Sequence, residues 1–118
     1  MECCPAQARD LAAGVAAEWK VGLARVKITP KHPMRMAGYA ARTKPFERVE
    51  MNLYCKAMAF EDYEGGRAVL ITADTLAFPG PRSEKICRRI TAATGLARKA
   101  ILLNSSHTHA GPMIRRAP

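Results

Sequence analysis

Ala68-Val69-Leu70-Ile71-Thr72-Ala73-Asp74 decides the fold of this 118-residue chain. An uncharged, β-branched run of this length, closed by an acid, predicts a strand buried on both faces. Downstream, residues 81–94 place Ile86, Ile90 and Ala93 on one helical face, with Pro81 at the start and Gly95 at the stop. A second apolar run, Ala100-Ile101-Leu102-Leu103-Asn104-Ser105-Ser106, follows closely. Strand, helix, strand predicts a βαβ unit with a parallel pair. Its strands span about 68–74 and 100–106, and its helix about 81–94. Parallel strands end at the same edge, so Asp74 meets whatever follows Ser106.

Upstream, Leu53-Tyr54-Cys55-Lys56-Ala57-Met58-Ala59-Phe60 alternates. Small residues and Leu53 share one face, which predicts a closely packed strand. Residues 61–66, ending in Gly65-Gly66, read as a hairpin turn. Residues 21–28 read as a further strand, ended by Thr29-Pro30. The class is therefore α/β: a partial mixed sheet with a βαβ unit, an N-terminal strand and a hairpin. Residues 31–49 are rich in proline, glycine and charge and read as a long loop; such loops are often functional. In residues 1–20, Leu11, Val15 and Trp19 fall four apart, which suits a short docking helix or a frayed leader.

The stretch after the last strand is Asn104-Ser105-Ser106-His107-Thr108-His109-Ala110-Gly111-Pro112. If it stays extended, His107 and His109 share one face and Thr108 the other. Two converging imidazoles can hold a metal, or one can hold it while the other handles a proton. An exposed or core histidine pair is the plainer reading of the spacing alone. Asp74 reads either as a turn cap or as an acceptor that braces a metal-bound histidine. His32, in a charged loop, is expected to be exposed.

Lys and Arg number 19 against 10 Asp and Glu, a net charge of +9. That excess raises nucleic acid or an acidic membrane as partners. The basic residues are scattered, however, with clusters only at Lys85/Arg88/Arg89 and Arg115/Arg116. One Trp, three Tyr and three Phe offer no aromatic ladder for stacking bases. The distribution argues against nucleic acid and leaves peripheral contact with an acidic membrane open. Cys3, Cys4, Cys55 and Cys87 form no Cys-x-x-Cys pair, so free thiols in a reducing compartment are expected. Arg9, Asp10 and Glu18 interrupt the alanine-rich start, and no secretory signal or transmembrane run is legible. The sequence as it stands reads as cytoplasmic unless the true start codon lies upstream, which leaves localisation open.

Five blocks in order resemble the N-terminal part of the neutral/alkaline (non-lysosomal) ceramidase family. They are Val21-Gly22-Leu23-Ala24-Arg25-Val26-Lys27-Ile28-Thr29-Pro30, Met36-Ala37-Gly38-Tyr39-Ala40, Leu53-Tyr54-Cys55-Lys56-Ala57-Met58-Ala59-Phe60-Glu61-Asp62, Ala68-Val69-Leu70-Ile71-Thr72-Ala73-Asp74-Thr75-Leu76, and Ile101 through Pro112. The last, with its His-Thr-His-Ala-Gly-Pro core, is the most specific. The resemblance implies a zinc-dependent amidase that hydrolyses the N-acyl bond of ceramide, or a related N-acyl lipid, to fatty acid and sphingoid base. It implies His107 as a zinc ligand and His109 as the catalytic neighbour that contacts substrate or the developing oxyanion. It also places the loop of Tyr39 and Arg42 near the active site, making both candidates for substrate binding. Tyr39 reads equally as an aromatic anchor of its own loop, and Arg42 as a surface charge. Members of this family are commonly exported or membrane-associated.

The family's remaining ligands, a histidine, a glutamate and a tyrosine, lie downstream of the His-Thr-His motif. The expectation is a leader over 1–20 and an N-terminal fragment of a ceramidase-like catalytic domain over 21–118, inactive alone and poorly soluble. The Zn2+ then needs ligands beyond residue 118. The alternatives are a non-catalytic remnant that binds metal weakly and a basic binding module.

Overall fold

The structure is a computed structural model that describes residues 18–114. The expected leader helix with Leu11 and Val15, the thiols Cys3 and Cys4, and the Arg115/Arg116 cluster lie outside the described residues. Four strands form one mixed sheet in the order β1-β2-β3-β4: β1 (Lys20–Lys27), β2 (Tyr54–Glu61), β3 (Arg67–Ala73) and β4 (Ile101–Ser105). Helix α1 (Gly80–Thr94) and a short 3-10 turn (Arg98–Ala100) connect β3 to β4. Pairing is antiparallel for β1 with β2 and for β2 with β3. It is parallel for β3 with β4, so the βαβ unit and the N-terminal hairpin form as the apolar runs predict.

Local chemistry sets the boundaries. Asp62 shapes the β2–β3 turn: its Oδ1 accepts the N–H groups of Glu64 (2.9 Å) and Gly66 (2.7 Å). Gly65 takes the left-handed conformation there, φ 82°. Helix α1 begins behind Pro79 and ends at Gly95, whose φ of 74° lets its N–H reach the Thr91 carbonyl.

Burial is uneven across the sheet. Along β4, Ile101 is buried and Leu103 half-buried, whereas Leu102 and Asn104 are exposed. Helix α1 turns the fully buried Cys87 inward, with Ser83, Ile86 and Ile90 half-buried around it. Ala93, expected on that face, is exposed. The opposite sheet face carries Leu23, Met58, Leu70 and Leu102 in one row across all four strands. Leu23 is 74% exposed and Leu102 62% exposed, since nothing among the described residues covers them. The expectation that β3 is buried on both faces is therefore corrected: Val69 through Thr72 are half-buried, and only Ala73 is buried. The close packing expected of the small face of β2 is likewise absent at Ala59, which is exposed. No helix among the described residues is long and apolar enough to cross a membrane.

Candidate functional site

Two segments distant in sequence build the site at the carboxyl ends of β3 and β4. The first leaves β4 at Ser105, and the Ser106 N–H still donates to the Ala73 carbonyl at 3.0 Å. His107 then takes a left-handed backbone conformation, φ 55°. An extended segment with both histidines on one face is thus not what forms, because a left-handed residue breaks strand alternation. The rings meet nonetheless: the His107 and His109 centroids lie 5.4 Å apart, tilted by 57°. His107 is exposed and His109 half-buried.

The second segment is the Tyr39 loop, docked on the first by backbone pairing. Met36 bridges Pro112, the Ala37 N–H donates to Gly111 O (2.9 Å) and the Met113 N–H to Arg35 O (2.8 Å). The loop closes at its base where Arg35 bridges Pro45. Gly38 (φ 75°) and Tyr39 (φ 48°) are consecutive left-handed residues at its tip. A Cβ on Gly38 would stand 2.4 Å from His109 Cγ, so only glycine lets the imidazole lie against this backbone. Tyr39 meets the His109 ring edge to face at 4.7 Å. Arg42 stacks its guanidinium on Tyr39 at 4.9 Å. Its Nη1 donates to the His109 carbonyl at 2.5 Å and to the Ala37 carbonyl at 3.4 Å.

His107, His109, Tyr39 and Arg42 thus form one cluster. Asp74 sits at the same sheet edge, but its Oδ2 accepts the Tyr54 N–H at 2.8 Å while its own N–H donates to Tyr54 O at 2.9 Å. Gly111 packs on the Asp74 carbonyl so closely that a Cβ would stand 3.1 Å away. Burial pushes the neighbouring Cys55 thiol up, and the Asp74 charge adds to this. Both effects disfavour its thiolate. His32 is exposed. Sequence reading singled out neither Gly38 nor Arg42's hold on His109. The Gly-Tyr step signals a turn at the first; no local signal marks a contact across 67 residues.

On the Thr108 side of the histidine segment lies a cavity of about 390 Å³, lined by Met36, Phe46, Leu53, Asp74, Thr108 and Pro112 among others. Neither histidine lines it. Among the described residues no group of three or more His, Cys, Asp or Glu side chains could hold a metal ion. His107 and His109 have the right donor chemistry for zinc, but a catalytic centre takes three protein ligands. The described residues therefore do not complete such a centre.

The fold is similar to part of two solved ceramidase structures. The neutral ceramidase from Pseudomonas aeruginosa superimposes with a TM-score of 0.73, at 24% identity over 82% of this chain. A ceramidase complexed with C2 gives a TM-score of 0.69 at 24% identity, also over 82% of this chain. This chain spans 16% of the length of either structure. No protein-family model and no curated protein sequence matches the chain.

Proposed function

We propose that residues 21–118 are the N-terminal part of a ceramidase-like catalytic domain, a zinc-dependent amidase acting on the N-acyl bond of ceramide or a related N-acyl lipid. The observation that carries this reading is the His107–His109 pair at the carboxyl edge of parallel strands, on a fold shared with neutral ceramidase. Ligands gather at such edges in α/β sheets. His107, exposed, is the metal ligand. His109 donates to the substrate carbonyl oxygen as charge develops there. Tyr39, 64% exposed, and the unspent guanidinium nitrogens of Arg42 border the substrate. Asp74 supports the histidine segment from behind through its contact with Gly111. The apolar cavity beside Thr108 has the chemistry to take an acyl chain. Zinc, when bound, supplies Lewis-acid polarisation of the amide and a more acidic water; its further donors come from outside the described residues.

The test is to express the reading frame extended past the Pro118 codon and measure fatty-acid release from a short-chain ceramide. Zinc-dependent release is expected, with a loss of about 100-fold or more in His107→Ala. The 118-residue chain alone should release none. Unchanged hydrolysis after complete metal removal would overturn the zinc assignment. An extended, zinc-loaded product without hydrolysis would overturn the amidase, as would a stop codon directly after Pro118, which favours the non-catalytic remnant.

A further inference from the structure

We propose that Arg42 is a positioning residue for His109: together with the Gly38 turn it sets the imidazole's orientation, which β4 does not. The inference rests on the role proposed for His109. Strand β4 ends at Ser105, and the left-handed His107 lies between that end and His109. The sheet therefore delivers the segment to the site but does not orient the second ring. Three contacts from the Tyr39 loop do.

The Gly38 backbone forms a floor under the ring, closer than any side chain would permit. Tyr39 forms a wall, edge to face with the imidazole at 4.7 Å. Arg42 ties the two together by stacking on Tyr39. Its Nη1 spans the carbonyls of His109 and Ala37, which belong to the two docked segments. The planar guanidinium can stack on Tyr39 while one of its nitrogens donates to both carbonyls, and a lysine ammonium has no flat face with which to do both. Charge assistance makes the bond to a carbonyl stronger than a neutral one. Arg42 and Gly38 thereby fix a ring that would otherwise swing about its own χ angles, and a catalytic donor a fraction of an ångström out of place loses much of its effect.

The test is NMR of the histidine rings in the metal-free 118-residue chain carrying Leu23→Lys and Leu102→Lys, which break up the exposed apolar row that drives self-association. This background serves as the wild type for the comparison. In the wild type, the His109 ring protons should be displaced from those of exposed His32 and should show an Overhauser contact to Tyr39. Arg42→Ala should move the His109 signals to the His32 positions and remove that contact. The Ala73 and Ser105 amides should keep their wild-type shifts, which shows that the β3–β4 pair persists. Arg42→Lys should not restore the His109 signals. Gly38→Ala, which reaches the ring from its other side, should displace them as well. Retention of the wild-type His109 signals in Arg42→Ala or in Gly38→Ala would overturn the proposal, as would full restoration by lysine. Because no metal or substrate is present, this result is independent of whether the extended protein hydrolyses ceramide.

Discussion

Asp74 shows how one carboxylate serves the architecture beside the His107, His109, Tyr39 and Arg42 cluster without joining it. Its side chain and its own N–H form a reciprocal pair with the Tyr54 backbone, joining the start of β2 to the end of β3. Sequence reading left two roles open for an acid at a strand tip. Its partner lies 20 residues upstream, beyond the reach of local turn rules. Removing the carboxylate strands the Tyr54 N–H in a half-buried setting. Asp74→Ala should therefore cost about 1–3 kcal/mol, read as a lower urea midpoint at unchanged slope. Asp74→Asn, which keeps an acceptor oxygen, should recover most of that loss. Wild-type stability in the alanine variant would show that the bond contributes nothing.

The elements were legible where their signals are local. Strands β2, β3 and β4 stand in sequence as apolar or alternating runs bounded by glycine, proline or acid, and α1 as a periodic stretch ended by Gly95. What a strand packs against is not local. The run of β3 announces burial, yet the element that would cover its Leu70 face is not among the described residues. The histidine pair was legible as chemistry but not as geometry, since the His107 step is left-handed and the loop that meets His109 lies some 70 positions away. Edge strand β1 adds a pH-dependent element. Its Lys20 meets Glu61 at 2.8 Å. The hydrogen bond to Lys20, followed by its charge, holds the Glu61 carboxyl below its usual range, and the same contact raises Lys20. A depressed carboxyl contributes stability above its unfolded pKa and loses it as pH falls through the folded value. A raised ammonium contributes below its unfolded pKa and loses it as pH rises through the folded value. The pair should thus hold the end of β1 between the ordinary carboxylate and lysine ranges. Amide shifts at Lys20 and Glu61 should change together on acidification, less so in high salt because both groups are exposed. Independent titration of the two would refute the pairing.

For the whole molecule, the open sheet face dominates behaviour. Leu23, Met58, Leu70 and Leu102 form an apolar row that nothing among the described residues shields. Each leucine left in water forgoes about 1.5–3 kcal/mol that full burial would contribute. Patches of this kind drive self-association. The chain should therefore sediment as concentration-dependent aggregates, and the double variant Leu23→Lys/Leu102→Lys should shift it toward monomer without loss of helical or sheet signal. Equal aggregation of the variant would place the cause elsewhere. The bridge between Met36 and Pro112 bears on the order of events during synthesis. Residues 35–37 leave the ribosome well before their backbone partners at residues 111–113 are translated. The bridge between Arg35 and Pro45 at the base of the Tyr39 loop is local, but the pairs that dock the loop must wait for all four described strands, and closing so long a segment carries an entropic cost that local elements escape. A nascent chain halted before Gly111 would carry a formed hairpin and helix but an unlatched loop, so the surroundings of His109 assemble only after the sheet beneath them.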